Sequence, residues 1–226
     1  MLDLGTFSVV AHDAAAGAFG VAVATARPAV GALVPFVSLA GGIATQARVN
    51  TEIGRRGIAL LDQGVPIGTA LGALLADDAD RDIRQVHGVD SAASFCHTGA
   101  GCVPWCGHRE GGGFSVAGNM LTGPRVVEAV VEAYRQARAE ERELSERLLL
   151  ALEAGQAAGG DKRGKQSAAL LVAGRDPRGY HNLRVDDHPD PVAELRRIYD
   201  LVVQHALKIE REYGREGLRL FSRVKY

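Results

Sequence analysis

The segment TFSVVAHDAAAGAFGVAVAT, residues 6–25, holds two apolar runs, 6–12 and 18–25, joined by DAAAG. Thr, Phe and Val favour strands and Gly17 suits a turn, so this segment predicts a β-hairpin. The runs 36–40 and 42–47 predict a second pair of strands, with Gly41 and Gly42 between them. These runs are too apolar for strands with one solvent-exposed face, which indicates sheets that are covered on both faces.

The rest of the chain alternates between blocks of helices and blocks of strands. Helical spacing starts at Asn50, Pro66 and Pro124 and recurs over 144–155 and 191–213; strand patterns cover 84–90, 92–99, 111–121, 166–174 and 181–188. Helices in blocks, rather than between successive strands, favour antiparallel sheets with helical layers outside them. The sequence therefore predicts an α+β fold in one domain, 1–226, built as a four-layer αββα sandwich of two antiparallel sheets between helical layers.

Composition narrows the classes of partner. The formal net charge is −1 and aromatic residues make up 5% of the 226 residues, so neither nucleic acid nor an anionic membrane is expected to bind. The uncharged run 28–47 contains several Gly and Pro residues, which favours short paired strands over a membrane helix. Three cysteines between Cys96 and Cys106 do not form a secreted disulfide framework. With no signal peptide visible, the expected location is the cytoplasm.

Thr6 is the first candidate for chemistry. A threonine hydroxyl is a weak nucleophile unless a base lies beside it, and a chain that starts at Thr6 would supply that base as its own α-amine, with a pKa of about 7.7–8.0. Gly5 suits this reading, because glycine tolerates the contorted peptide that attack on the preceding carbonyl requires. The plainer interpretation is that Thr6 simply opens a strand.

A second candidate is the stretch CHTGAGCVPWCGHREGGG, residues 96–113, which offers five soft or borderline ligands. Zinc takes four such ligands tetrahedrally, so a metal-dependent hydrolase or a structural zinc site is one hypothesis, with Cys102 and His108 as the first ligands to test. The spacing matches no standard zinc knuckle. The alternative is a glycine-rich loop with buried thiols and a tryptophan packed beneath it.

A third candidate is GGDKRGKQSAALLV, residues 159–172. Glycines and cations together could cradle a phosphate, but the P-loop order of Gly, Lys and Ser/Thr is absent. The alternative is that Asp161, Gln166 and Ser167 stand at the mouth of a strand and face a substrate cleft, and a solvated loop is the plainest interpretation. Arg27, which follows the second strand, is a further candidate for substrate binding.

Seven motifs together resemble a known family: TFSVVAHD, GVAVAT with AVGALVP, ATQARVN, HTGAGCVPWCGH, AGNMLTG, GGDKRGKQSAALLV and VDDHPDPVAELRR. In this order they resemble an uncharacterised bacterial and archaeal family, domain of unknown function 1028, which is placed in the N-terminal-nucleophile (Ntn) hydrolase superfamily. The resemblance runs from Thr6 to Tyr199. It implies the four-layer αββα sandwich that the strand and helix blocks predict independently.

The superfamily implies hydrolysis of an amide by the hydroxyl of a terminal threonine, whose amine shuttles the proton. Carried over, Thr6 is the nucleophile, and the substrate is a small amide or acyl-amino compound. Asn119 and Gln46 are predicted as polar cleft residues with a catalytic role. No cofactor is predicted. A binding or assembly module on the same fold, without catalysis, is the main alternative.

The sequence departs from this pattern at its start. Related chains begin Met-Thr-Phe-Ser, whereas Leu2–Gly5 precede Thr6 here, so a free amine at Thr6 requires cleavage of the Gly5–Thr6 bond. Residues 1–5 are therefore interpreted as an N-terminal extension. A misassigned start, slow processing and loss of catalysis are the three explanations open at this point.

A homodimer is expected, because the uncharged stretch AVGALVPFVSLAGG and the long C-terminal helix supply apolar surface that one domain does not readily cover. The tail 214–226 alternates apolar and basic residues and is predicted to reach across that interface.

Overall fold

A computed structural model describes residues 5–176 and 181–221 of the chain. Within these ranges the strands are β1 (Thr6–Asp13), β2 (Ala18–Thr25), β3 (Pro35–Val37), β4 (Gly41–Ala47), β5 (Arg84–Asp90), β6 (Ser94–Thr98), β7 (Gly107–Gly111), β8 (Phe114–Asn119), β9 (Ser167–Ala173) and β10 (His181–Val185). The helices are α1 (Thr51–Asp62), α2 (Ile67–Ala76), α3 (Arg125–Ala139), α4 (Leu144–Ala157) and α5 (Pro191–Phe221). Met1–Leu4 of the predicted extension, and the predicted tail beyond residue 221, lie outside the described residues.

The strands form two sheets, in which all paired strands run antiparallel. One sheet has six strands in the order β10-β9-β2-β1-β8-β7, and the other has four in the order β3-β4-β5-β6. β1 therefore lies inside the larger sheet, with β2 on one side and β8 on the other. The predicted hairpin of residues 6–25 is confirmed, and its register sets Thr6 opposite Thr25.

The two faces of β1 point into different parts of the core. Phe7 and Val9 belong to an apolar cluster shared with α3, α4 and α5, whereas Val10 joins residues of β4 and β5 between the sheets. A third cluster packs α1 and α2 against the smaller sheet. The resulting order, helices, sheet, sheet, helices, is compatible with the predicted sandwich.

The structure differs from the sequence prediction in two places. The first strand of the second pair is shorter than predicted, spanning Pro35–Val37. The glycine-rich stretch 96–113, for which a loop was one interpretation, contains the edge strand β7. Arg109 and Glu110 of β7 are exposed, so its side chains lack the apolar alternation that marks a strand in sequence.

The exposed apolar residues are relevant to the predicted homodimer. Val30 and Val34 of the uncharged stretch are buried, while the exposed large apolar residues include Leu33, Leu39, Leu201, Leu207 and Tyr213. The homodimer stays a prediction. No helix within the described ranges has both the length and the apolar character needed to cross a membrane.

Candidate functional site at the start of strand β1

Thr6 is the first residue of β1, and at this position three strands of the large sheet lie side by side. The register places Thr25 of β2 on one side of it and Asn119 of β8 on the other. All three are buried, with exposures of 2%, 3% and 1%. The Thr6 hydroxyl donates to Thr25 Oγ1 at 3.4 Å, and the Thr25 hydroxyl donates to the carbonyl oxygen of Gly5. Thr25 thus connects the Thr6 hydroxyl to the carbonyl that precedes it.

A glycine turn brings Asp161 and Arg163 to the same place. Gly159 and Gly160 have φ angles of 116° and 55°, which favour glycine, and Asp161 then forms a bridge to Leu121 beyond β8. The Asp161 side chain is 1% exposed. Its Oδ2 accepts the Arg163 Nη2 proton at 2.6 Å, and its Oδ1 accepts the Arg163 Nε proton at 3.0 Å. A buried carboxylate therefore fixes the plane of the Arg163 guanidinium.

The Gly5 carbonyl is held by two donors. Arg163 Nη2 donates to its oxygen at 3.0 Å, in addition to the Thr25 hydroxyl. A positive charge and a hydroxyl aimed at one carbonyl oxygen polarise it, and would stabilise negative charge developing there if the carbon were attacked.

Backbone strain concentrates at the ends of the central strands. Met120 directly after β8, Ala47 at the end of β4, and Ala29 after β2 have φ angles of 51°, 64° and 59°. Such values are uncommon for residues other than glycine and tend to occur at functional sites. Met120 is fixed from two sides, because its N–H donates to Val103 and its carbonyl accepts from Lys162.

Between the sheets, a buried polar layer extends from this end into the core. Ser8 Oγ lies 2.7 Å from His87 Nε2, and Ser115 Oγ lies 2.9 Å from His87 Nδ1. Ser8 also donates to Gln46 Oε1 at 2.6 Å. His87 is fully buried, and this burial lowers the pKa of its imidazole to about 3. The histidine is therefore neutral at physiological pH.

Two backbone carbonyls determine which way the side-chain amides of this layer point and which nitrogen of His87 carries the proton. Gln85 Nε2 donates to the carbonyls of Gly118 and Gly107, so Gln85 Oε1 must accept, and it does so from Gln46 Nε2 at 2.8 Å and Asn119 Nδ2 at 2.9 Å. Gln46 Oε1 consequently faces Ser8 and accepts the hydrogen bond that the Ser8 hydroxyl donates. His87 must then donate from Nε2 to Ser8 and accept from Ser115 at Nδ1.

Replacing Gln85 with leucine is expected to lower the free energy of unfolding by about 3 kcal/mol, because it leaves buried amides and carbonyls without partners. Chemical denaturation measures the effect. Gln136→Leu, on the exposed face of α3, is the control and is expected to change stability by less than about 0.5 kcal/mol. An equally small effect of Gln85→Leu would contradict the assigned network.

The two predicted polar cleft residues meet at Gln85. Asn119 neighbours Thr6 in the sheet, and Gln46 lies between the sheets; both side chains are buried. Gln46 therefore contacts the site through Gln85 and does not line an open cleft.

The predicted substrate-binding residues separate into two groups. Asp161 lies beside Gly5, and its Oδ2 accepts the Ala26 N–H at 3.1 Å. Ser167 is buried and engaged with backbone, donating to the Arg27 carbonyl and accepting from the Val30 N–H. The Gln166 side chain donates to Asp187 at 3.1 Å. Ser167 and Gln166 thus stabilise the segments that follow β2 and β10.

The cysteine and histidine stretch does not assemble a metal site. Within residues 5–176 and 181–221, no three His, Cys, Asp or Glu side chains converge as metal ligands do. Cys102 Sγ donates to the Arg84 carbonyl, and His108 Nδ1 lies 2.9 Å from Thr98 Oγ1. Burial raises the pKa of the Cys102 thiol to about 11 and raises the pKa of the Cys96 and Cys106 thiols, so all three stay protonated at neutral pH.

Thr25, Arg163, Gln85 and His87 of this site were not among the predicted site residues. The hairpin register already predicts Thr25 opposite Thr6, because the two residues begin and end the paired runs. In RQVHGVD, the polar residues Gln85 and His87 flank Val86, and a spacing of two places both side chains on one face of a strand. Arg163 carries no such local signal.

Comparisons with known proteins identify a family whose function is unknown. Residues 6–195 match DUF1028, a family of unknown function, so the matched region starts at Thr6. The crystal structure of protein SPO2555 from Silicibacter pomeroyi, described as a DUF1028 protein, is 33% identical and has a TM-score of 0.79. The similarity covers 87% of this chain and 88% of that chain. No curated protein matches the sequence.

Proposed function

The chain belongs to the DUF1028 family, whose function is unknown, and we propose that it is an amide hydrolase whose nucleophile is the hydroxyl of Thr6. The observation that carries the proposal is the pair of donors, Thr25 and Arg163, on the carbonyl next to Thr6. The two antiparallel sheets between helices support an Ntn-hydrolase-like interpretation of the fold. The substrate is a small amide or acyl-amino compound.

The first step is cleavage of the chain at Gly5–Thr6. Thr6 Oγ1 attacks the Gly5 carbonyl carbon through a five-membered ring, its proton passes to Thr25, and the Thr25 proton passes to the carbonyl oxygen. Until that proton arrives, Arg163 stabilises the negative charge that develops on the carbonyl oxygen. The carbon–nitrogen bond then breaks as the carbonyl re-forms, and the proton held on that oxygen passes to the Thr6 nitrogen, which becomes the free amine. Water hydrolyses the resulting ester, releasing residues 1–5 as a carboxylic acid.

Turnover of a substrate repeats the ester chemistry with a base in place. The free Thr6 amine, with a reference pKa of about 7.7–8.0, takes the hydroxyl proton as Oγ1 attacks the substrate carbonyl. That proton leaves with the departing amine of the substrate. Water then cleaves the ester, and the products are a carboxylic acid and an amine.

The buried polar layer supports the same site. Asn119 is tied to Gln85, and Gln85 to Gln46, so the side chain next to Thr6 is held by a fixed chain of amides. A nucleophile gains most from neighbours whose positions are fixed before the reaction.

An assay with p-nitroanilides of simple acids tests the proposal on the purified protein. Release of nitroaniline is expected, and it should be lost in Thr6→Ala and after chemical acetylation of the Thr6 amine. Activity that survives both treatments would place the nucleophile elsewhere. A chain that stays uncut, turns over no amide and binds a small ligand tightly would instead favour the non-catalytic binding module.

A further inference from the structure

Gly5 occupies a closed pocket in which an added methyl group does not fit. A Cβ at Gly5 in the L configuration would lie 2.7 Å from Asp161 Oδ2 and 2.7 Å from Met120 Cβ. Both separations are well below ordinary van der Waals contact, which begins at about 3.4 Å between carbon atoms. The space beside the Gly5 α-carbon therefore ends at these two side chains.

Neither wall is free to move aside. Asp161 is held by its two bonds to the Arg163 guanidinium and by the N–H groups of Ala26 and Arg163. The Met120 Cβ is attached to a backbone with a φ of 51° that is bonded to Val103 and Lys162. The fit at Gly5 thus depends on rigid groups.

The pocket that holds Gly5 is also where a substrate's acyl group would lie. In the proposed self-cleavage, residue 5 becomes an ester on Thr6 Oγ1, and a substrate forms the same kind of ester on the same oxygen. The carbonyl oxygen of either ester faces Thr25 and Arg163. Its α-carbon then faces Asp161 and Met120.

We infer that this enzyme selects amides whose acyl group carries no branch in the L configuration at the α-carbon, such as amides of glycine and of straight-chain acids, and that Met120 and Asp161 set this selectivity. The inference rests on the proposed function, because it assigns the acyl pocket of that site. Met120 acts here as a specificity-determining residue, and its backbone conformation is one that glycine adopts without strain.

The test compares glycyl-p-nitroanilide with L-alanyl-p-nitroanilide on the full chain and on Met120→Gly. We expect kcat/KM for the alanyl compound to be lower by about 10- to 200-fold in the wild type, the range that one methyl group commonly produces in a tight pocket. Met120→Gly removes one wall and should narrow that ratio by up to about tenfold, whatever the change in glycyl turnover itself. Self-cleavage, followed by intact mass, should slow in Gly5→Ala and recover partly in Gly5→Ala with Met120→Gly.

The outcomes separate the two hypotheses. Equal turnover of both anilides by the wild type, or unchanged self-cleavage in Gly5→Ala, would overturn the assignment of the acyl pocket while leaving the hydrolase intact. Turnover of neither anilide, together with an uncut chain, would overturn the proposed function and the inference with it. Thr122→Gly is the matched control, since Thr122 lies beyond the same strand and contacts Gly159 instead of Gly5; a change of ratio there would also count against Met120.

Discussion

Thr6→Ala is expected to keep the purified chain at its full mass, whereas the wild-type protein should lose residues 1–5. Alanine has no hydroxyl to attack the Gly5 carbonyl, so no ester forms even though Thr25 and Arg163 still hold that carbonyl. The expected effect is complete loss of the shorter species. Intact-mass spectrometry of untagged protein, sampled over days at pH 7.5, measures it.

Two further variants separate the chemistry from the fold. Thr6→Ser retains the hydroxyl and should still be cut. Thr25→Val preserves the shape of the side chain but removes one donor to the carbonyl, which typically costs about 100- to 1,000-fold in rate. Wild-type protein that remains at full mass under these conditions would contradict the self-cleavage step. Cleavage of Thr6→Ala at the same rate as the wild type would assign the cut to a contaminating protease.

Acid is expected to unfold the protein over a range in which most carboxylates are still charged. Burial lowers the pKa of His87 to about 3 and that of His181 to about 4, from 6.5 for an exposed histidine. Below pH 6.5 the unfolded chain takes up a proton at each histidine while the folded chain does not. Stability therefore falls with falling pH, by about 1.4 kcal/mol per unit for each histidine.

Between pH 6.5 and pH 4.5 the two histidines together should lower the free energy of unfolding by about 5 kcal/mol, which is as large as the whole stability of many domains. Urea denaturation at pH steps from 7.5 to 4.5 measures the loss. His181→Phe should remove about half of it, because the variant keeps a ring beside Tyr199 but cannot take up a proton. The same pH dependence in His181→Phe and wild type would contradict the assignment.

His181→Phe is also a test of stability at neutral pH. His181 is buried, with an exposed fraction of 4%. Neither of its ring nitrogens has a hydrogen-bond partner among the residues that the structure describes. Buried groups without partners lower stability by about 1–3 kcal/mol. The phenylalanine variant is therefore expected to melt at a higher temperature than the wild type at pH 7.5.

The sequence predicts the parts of the fold that depend on local patterns. The hairpin 6–25 is visible because strand formers, a turn glycine and a second run of strand formers follow one another directly. Helix α1 starts where predicted, because Asn50 accepts the Glu52 N–H and so caps it. Thr6 and Asp161 could be singled out, since each stands next to a glycine at the border of a strand.

The contacts that complete the site could not be predicted in the same way. Arg163 reaches Gly5 across 158 residues of chain, and Asn119 reaches Gln85 across 34. Such pairs depend on which strands become neighbours in the folded sheets, and one sequence does not encode this locally. The edge strand β7 was missed for another reason, because charged residues at its centre remove the alternation that marks a strand.

The interior position of β1 has a consequence for synthesis. Almost all residues of β1 and β2 are buried in the folded sheet. This hairpin leaves the ribosome before its sheet partners β8 and β9, which end only at Asn119 and Ala173. At about 5–20 residues per second, the hairpin waits roughly seven to thirty seconds for β9. An apolar pair of strands with both edges open is a template for aggregation during that interval. Yield in the cell is therefore expected to depend on how well this nascent hairpin is shielded until β8 and β9 are synthesised.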